Sequence, residues 1–384
     1  MITITRSTLR ELARVQGWPS VSVYLPIVRG GVEGEQNDVR VRDALRRAET
    51  LLIQKGCSSA LAESVLKEGR RRASEPSFLS HPGDGIALLM TEDRTWVFQL
   101  PVAVAEAVYV EKHLALGPLV PALKSAEKFL VLALSENSAK LYRAEGERLE
   151  PVAADLPENM REALAYDQPE PQIHAISAGR YRNRKEGAVF HGQGASTMHV
   201  DAELHAYCRE VSDAMAPVLA REDAPLVVAA ADRLAAVFAE ECSDKHLIPS
   251  HVSGSTEHWS ATELLTRARE ARDAHRAQTD AARIAELAEL AGRGRAATTP
   301  ESAVRAACAG QVSELWVARG AVLRGRFDRS SGEVHLAPRQ AGDAEDLLET
   351  VIRETLLHDG DVHSAEAKLL PSTPVAARLR YAAF

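Results

Sequence analysis

Apolar residues recur along this chain in two periods, and the alternation of those periods divides it into strands and helices. Val21–Leu25 (VSVYL) is a short apolar run closed by Pro26, the pattern of a strand. Val41, Leu45, Ala48 and Leu52 follow at spacings of four, three and four, one face of a helix, and a second helix is predicted over 60–73. Residues 86–90 and 95–100 read as a strand pair turned at Glu92 and Asp93. A second block opens with FLVLAL (129–134) and AKLYRAE (139–145), a hairpin around Glu136 and Asn137. A polar stretch from 153 to 200 comes next, too long for an ordinary connection and therefore expected to be functional or partly disordered. Beyond it, Leu204, Cys208, Val211, Met215 and Val218 mark an amphipathic helix. PLVVAAA (225–231) reads as a buried strand, and Asp232 is placed to cap a helix over 233–241.

A third block opens at 251–259. Ser260 and Glu263 have the Ser-x-x-Glu spacing that starts a helix, here a long one reaching Leu290 with Gly292 as its stop. About 30 residues at 1.5 Å each would span roughly 45 Å. GRGR (292–295) reads as a flexible linker, and Pro300 suits the first turn of a helix running through Cys308. Strands at 314–318, 322–327 and 333–336, a helix over 343–358 and a last strand at 375–381 complete the pattern, with DRSSG (328–332) as a hairpin-like turn. The expected organisation is α/β in three domains: a mixed N-terminal domain over 1–123, a layered middle domain over 124–252 and a C-terminal domain over 253–384 opened by the long helix.

Composition bounds the function. With 45 % hydrophobic and 26 % charged residues the chain is an ordinary globular protein, and its longest apolar run beside a strand, 226–231, is far short of a membrane span. The N-terminal MITITRSTLRELARV has no apolar stretch of the secretory kind, and Cys57, Cys208, Cys242 and Cys308 show no pairing. A cytoplasmic protein with no membrane partner is expected. The net charge is −8, from 46 Lys and Arg against 54 Asp and Glu, which argues against general adhesion to nucleic acid. The average hides a reversal: residues 145–170 hold eight acids and two bases, whereas 171–200 hold Arg180, Arg182, Arg184 and Lys185 against Glu186 alone.

That reversal surrounds the most informative stretch, GRYRNRKEGAVFHGQGAS (179–196). His191, Gly192, Gln193 and Gly194 set a neutral amide between glycines, downstream of four cations. Glycine lets a backbone approach a ligand closely, and a glutamine there orients water or a backbone amide near a developing oxyanion without adding charge. The cations, with His191, suit an RNA phosphate backbone; a solvated surface loop is the alternative. Other constellations are weaker. His199, Asp201 and His205 lack a further cluster to complete a metal site. Gly30, Gly31 and Gly34 are not followed by Gly-Lys-Ser/Thr, and Glu33 and Glu35 would repel phosphate. Ser196 lacks a Gly-x-Ser-x-Gly elbow, and Cys308 sits on an apolar helix face. Arg293 and Arg295 read as part of a solvated linker more than an RNA contact. No metal or organic cofactor is called for.

The ordered set VSVYLP, FLVLALSENSAKLYR, FHGQGAS, PLVVAAADRLAAVF, SELWVARG and DLLETVIRETLLHDGDVH with AARLRY resembles the bacterial homologues of archaeo-eukaryotic class I release factors and Pelota-like rescue proteins, over most of the chain. The resemblance implies a ribonuclease-H-like middle domain carrying the catalytic loop. It also implies a C-terminal α/β/α domain like the kink-turn-RNA-binding ribosomal proteins. The family's Gly-Gly-Gln motif falls on His191, Gly192 and Gln193, so Gln193 inherits the water-directing role and Gly192 that of the second glycine. His191 departs from the motif, since histidine disfavours positive φ, and Gly194 restores some freedom. No Asn-Ile-Lys-Ser string occurs in 1–123, so stop-codon reading is not implied. A ribonuclease-H-like domain also raises a two-metal nuclease, yet 129–134 bears no acid and 139–145 only Glu145. The implied function is peptidyl-tRNA hydrolysis on ribosomes, with rRNA and peptidyl-tRNA as partners and a translational GTPase as a further one. A non-catalytic A-site binding protein of stress or hibernation, and a general RNA-binding or scaffold protein, stay open beside it.

Overall fold

Val21, Val23 and Leu25 alternate with Ser22 and Tyr24, and all five are buried, because their strand lies in a sheet covered on both faces. The computed structural model describes residues 4–384 apart from 29–36, 76–77, 79–82, 168–192, 339–343, 371–372 and 383–384, and without the side chains of 124–126, 165–167 and 193–200. Helix α1 (Arg6–Arg14) precedes strand β1 (Ser20–Pro26), followed by helices α2 (Asn37–Gln54) and α3 (Ser59–Ala73). Strands β2 (Gly85–Met90), β3 (Thr95–Leu100) and β4 (Ala107–Glu111) complete an antiparallel sheet of order β3-β2-β1-β4. Val21, Val23 and Leu25 meet Val41, Leu45, Ala48 and Leu52 of α2 and Val65 and Leu66 of α3. Tyr24, Ala87, Leu89 and Phe98 face the other way, into a core shared with the last third of the chain. Period-2 strands and period-3.6 helices thus meet face to face, as the sequence pattern predicts.

The chain divides into two units, residues 1–127 with 279–384, and residues 128–278. In the second, strands β5 (Phe129–Ser135), β6 (Ser138–Glu145) and β7 (Arg148–Pro151) form an antiparallel meander. Helices α5 (Met160–Asp167) and α6 (Gln193–Glu222) follow; α4 (Val120–Ala126) lies before β5. Then come β8 (Leu226–Ala230), α7 (Asp232–Glu241) and a short edge strand β9 (Val252–Ser253). The sheet order is β7-β6-β5-β8-β9, with β8 parallel to both β5 and β9. Within the unit this is 3-2-1-4-5, the ribonuclease-H-like arrangement. Leu130, Leu132 and Leu134 face α6 and α7, whereas Phe129, Val131 and Ala133 face Leu264, Leu265 and Ala268 of the long helix α8 (Ala261–Gly292).

The C-terminal strands are β10 (Ala296–Ala297), β11 (Val312–Ala318), β15 (Asp361–Ala365) and β16 (Val375–Leu379), in the order β10-β16-β11-β15. Between them lie α9 (Pro300–Cys308), a small sheet of β12 (Arg324–Phe327), β13 (Val334–Leu336) and β14 (Glu345–Asp346), and helix α10 (Leu347–Leu357). Trp316, Ala318 and Ala376 face Ile284 and Leu287 of α8. Leu315, Val317, Val375 and Ala377 face α9 and α10 instead, so the layers are α/β/α. Among the described residues no helix is long and apolar enough to cross a membrane.

Several local expectations change. Asp232 does not cap α7: it is the first helical residue, and its carboxylate accepts from His251 Nε2 at 2.9 Å instead. Ser260 does accept from the Glu263 amide (3.2 Å), but the Glu263 side chain turns to Arg267 rather than back to the cap. GRGR is an ordered helix end, not a flexible linker. The amides of Arg293 and Arg295 donate to Leu290, Gly294 is left-handed at φ 68°, and the Arg295 carbonyl accepts from Leu379. The helix predicted from 343 starts at Leu347, because Asp346 caps it through the Leu348 amide. The polar stretch 153–200 contains α5 and the first turns of α6, and its residues 168–192 lie outside the described residues.

One polar seam joins the first and last parts of the larger unit. The carboxylate of Glu349 on α10 accepts from the amides of Leu116 (2.6 Å) and Gly117 (3.0 Å). A Cβ on Gly117 would lie 2.6 Å from Glu349 Oε1, so glycine is what allows this approach. Next to it, Ser22 and Tyr24 hold the amide and carbonyl of Ala115 at 3.0 and 2.5 Å. Arg353, buried, donates through Nε to the Ala13 carbonyl at 3.1 Å. Burial raises the Glu349 carboxyl to about 7, outweighing the two amide bonds that favour its charged form. A carboxyl raised on folding binds its proton more tightly in the native state, so its stabilisation is complete below pH 4.5 and lost as pH rises through 7. Urea denaturation of wild type and Glu349→Gln from pH 4.5 to 8 should therefore differ in slope. Wild type should lose on the order of 2–3 kcal/mol relative to the variant across that range, and parallel curves would show that Glu349 does not titrate there.

Candidate functional site

The sheet of the second unit sets where its chemistry can lie. Strand β5 carries no carboxylate, nor does β8, so the centre of the ribonuclease-H-like sheet lacks the converging acids a two-metal nuclease requires. The acids at its edge are committed. Asp232 is held below the usual carboxylate range by hydrogen bonds from Ser253 and His251, and Glu257 likewise by Asn137 and Ser135. Among the described residues no group of three His, Cys, Asp or Glu side chains could hold a metal ion.

What the sheet carries instead is helix α6. Leu204, Tyr207, Cys208, Val211, Met215, Val218 and Leu219 repeat at three and four and bury one face of it against β5 and α7. The Tyr207 hydroxyl donates to the Ser135 carbonyl at 2.9 Å, fixing the helix to the end of the central strand. At its C-terminal end Glu222, 8 % exposed, pairs with Arg143 and with Lys128 (3.2 Å), and Arg143 above all holds its carboxyl low. Across to α7, Glu241 receives His205 Nδ1 at 2.8 Å and Arg209 Nε at 2.9 Å, while Asp201 pairs with Arg233. Asp201 and His205, two of the three residues of the His199-Asp201-His205 set, are thus taken up in helix-to-helix ion pairs rather than turned toward a common ligand.

Gln193 is the first residue of this anchored helix and Gly194 the second. The structure therefore brings these two to one helix start, and their side-chain geometry is not described. Gly192, His191, Arg180, Arg182, Arg184 and Lys185 lie outside the described residues. The helix begins eleven residues before Leu204, the first apolar position of its repeat. Its opening QGASTMHV has no apolar period, so only the backbone reveals it.

Cys208 and Cys308 are poor nucleophiles. Burial raises the Cys208 thiol to about 12 and that of Cys308 to about 11, leaving both protonated near neutrality. A feature the sequence did not disclose lies in the other unit, a cavity of about 380 Å³ lined by Trp18, Tyr109, Asp346 and Glu349 among others. Its only sequence signal is the charge inside the apolar run LLETVIRETLL, where Glu349, Arg353 and Glu354 interrupt a buried helix.

Residues 128–311 match the family described as bacterial archaeo-eukaryotic release factor family 3. No curated protein matches. Among solved structures, the archaeal translation termination factor aRF1 is 16 % identical, with 98 % of this chain and 99 % of that one covered and a TM-score of 0.24. Pelota of Archaeoglobus fulgidus is 14 % identical over 77 % of this chain and 79 % of that one, at a TM-score of 0.33. Dom34 of S. cerevisiae is 8 % identical over 100 % and 94 %, at 0.30. The family match begins at Lys128, the first residue of the second unit, and contains that unit, the His-Gly-Gln-Gly stretch and helix α6. Over residues 128–311, then, the chain is similar to the bacterial archaeo-eukaryotic release factor family 3.

Proposed function

We propose that this protein enters ribosomes that have stopped elongating and hydrolyses the ester between peptide and transfer RNA, without reading a stop codon. The observation that carries the reading is the family match over 128–311, a span that includes residues 191–194, of which Gln193 and Gly194 open helix α6. Gln193 orients the attacking water through a neutral amide, and Gly192 and Gly194 let the backbone come close to the reacting carbonyl. A helix of 30 residues spans about 45 Å. Tyr207 and Glu222 fix its far half to the sheet, so its first residue is held by a packed element rather than by a loop alone. Arg180, Arg182, Arg184 and Lys185 hold phosphates of ribosomal or transfer RNA, and a translational GTPase is a partner by family resemblance.

His191, where the family has its first glycine, favours a second reading: a protein that occupies the ribosomal A site without releasing peptide. Histidine adds bulk and disfavours the positive φ open to glycine.

Release of labelled peptide from purified stalled ribosomes separates the two. Gln193→Ala should lower release about a hundredfold or more while ribosome binding in the same samples stays within twofold of wild type. Equal release by the variant would remove Gln193 from the chemistry, and binding without release by wild type would establish the A-site occupant. Replacing Arg180, Arg182, Arg184 and Lys185 together by Ala should weaken ribosome binding and reduce the slope of log affinity against log salt by about 3. An unchanged slope would mean that these cations do not neutralise phosphate.

A further inference from the structure

The cavity in the larger unit has a composition that no part of the release reading uses. Its volume, about 380 Å³, lies in the range of small-molecule sites, roughly 300–1,000 Å³. Three aromatic side chains line it, Trp18, Tyr109 and Phe327. Four carboxylates line it as well, Glu111, Glu345, Asp346 and Glu349, the last two one helical turn apart, and Lys112, Arg324 and Arg329 are among its cations. The pocket is built rather than incidental. Arg353, 8 % exposed, is fixed by the Ala13 carbonyl and by Glu354 at 3.0 Å. Glu349 is fixed by two backbone amides and Asp346 by those of Leu323 and Leu348, both to Oδ1 at 3.1 Å. Tyr109 is set edge-on against Tyr24 with ring centres 6.2 Å apart.

Three polar features of the lining call for a partner. Both amides that reach Asp346 go to Oδ1, so Oδ2 accepts no protein hydrogen bond among the described residues. Oε1 of Glu349 keeps a lone pair after accepting from Gly117, whereas Oε2 receives the amides of both Leu116 and Gly117. The Nδ1 of His113, a buried atom of a residue that also lines the cavity, has no hydrogen-bond partner among the described residues. Burial raises both carboxyls, Asp346 raises that of Glu349 further and Glu111 that of Asp346, so a ligand that brings hydrogen-bond donors relieves a cost already present.

We propose that this cavity binds a guanine mononucleotide, with the base among Trp18, Tyr109 and Phe327 and its donor edge on the Asp346 and Glu349 carboxylates. Guanine presents two adjacent donors, N1–H and N2–H2, which match Asp346 and Glu349 as ionised, acceptor-only carboxylates, the form Glu349 takes above about pH 7. Adenine sets a donor beside an acceptor, and uracil sets its one N–H between two carbonyls, so each would press a lone pair on a carboxylate. The phosphate meets Lys112, Arg324 and Arg329, cations on the same lining. All these residues belong to one unit and none to the loop around Gln193, so the proposal stands or falls separately from peptide release.

Calorimetric titration of the full chain with GMP, AMP and UMP at one ionic strength tests it. GMP should bind one to one with a Kd below about 1 mM, and AMP and UMP at least about tenfold more weakly. Trp18→Ala, at a position 45 % exposed, should weaken GMP about tenfold. Lys112→Ala should weaken GMP but leave guanosine unaffected. A uridine-flanked guanosine trinucleotide, binding as well as GMP or not, tells a base carried in an RNA strand from a free nucleotide. No binding at about 1 mM GMP, equal affinity for the three nucleotides, or a Trp18→Ala isotherm identical to wild type would overturn the proposal.

Discussion

A four-stranded sheet with two apolar faces cannot be satisfied by one layer of helices, and that constraint organises the larger unit. Val21, Val23 and Leu25 are covered by α2 and α3, which follow directly in sequence. Tyr24, Leu89, Phe98 and Leu100 need a second cover, and it comes from residues more than 200 positions away, including Leu348, Val351 and Ile352 of α10. Apolar area removed from water on the second face is what makes the first and last thirds of the chain one unit. The chain between them is thereby set apart as the other unit, closed on its own sheet.

Polar groups within that apolar seam give it register. Hydrophobic contact alone tolerates sliding, whereas a buried carboxylate aimed at two consecutive amides does not. Glu349 meets the amides of Leu116 and Gly117, and Ser22 and Tyr24 hold both backbone groups of the neighbouring Ala115. Four consecutive backbone bonds at one short segment thus lock the sheet to α10, and Arg353 adds a fifth to α1. The same arrangement leaves charged groups beside the cavity, where packing is incomplete and a ligand can reach them.

The second unit shows how one sheet order serves different chemistry. Its 3-2-1-4-5 strands are those of a ribonuclease-H-like domain, but its central strands bear aliphatic residues where a nuclease would need acids. The charged side chains near the sheet serve to hold helices instead. Glu222, Glu241 and Asp201 are each engaged by cations of neighbouring elements. The sheet anchors α6, whose first residue is Gln193.

Much of this was legible in the residues. Periodicity alone located β1, β2, β3, β5, β6 and β8 and the buried stripes of α2 and α6, because a side chain's face in a strand or helix follows from its spacing. The local misreadings came where backbone geometry outweighs composition. GRGR has the residues of a linker, yet Gly294 takes the left-handed turn that closes a helix. Asp232 has the residue type of a cap, yet finds a histidine brought beside it by an edge strand. The first turns of α6 were not legible because QGASTMHV lacks an apolar repeat, and helical order reaches it by propagation from a packed stripe eleven residues on. Gln193 is proposed from its motif, through likeness to a family, and no period could have marked it. The cavity, the Glu349 seam and the union of the chain's two ends were decided by tertiary structure alone. Each depends on side chains far apart in sequence meeting across an interface, and spacing along the chain carries no information about which distant surface will cover a second apolar face.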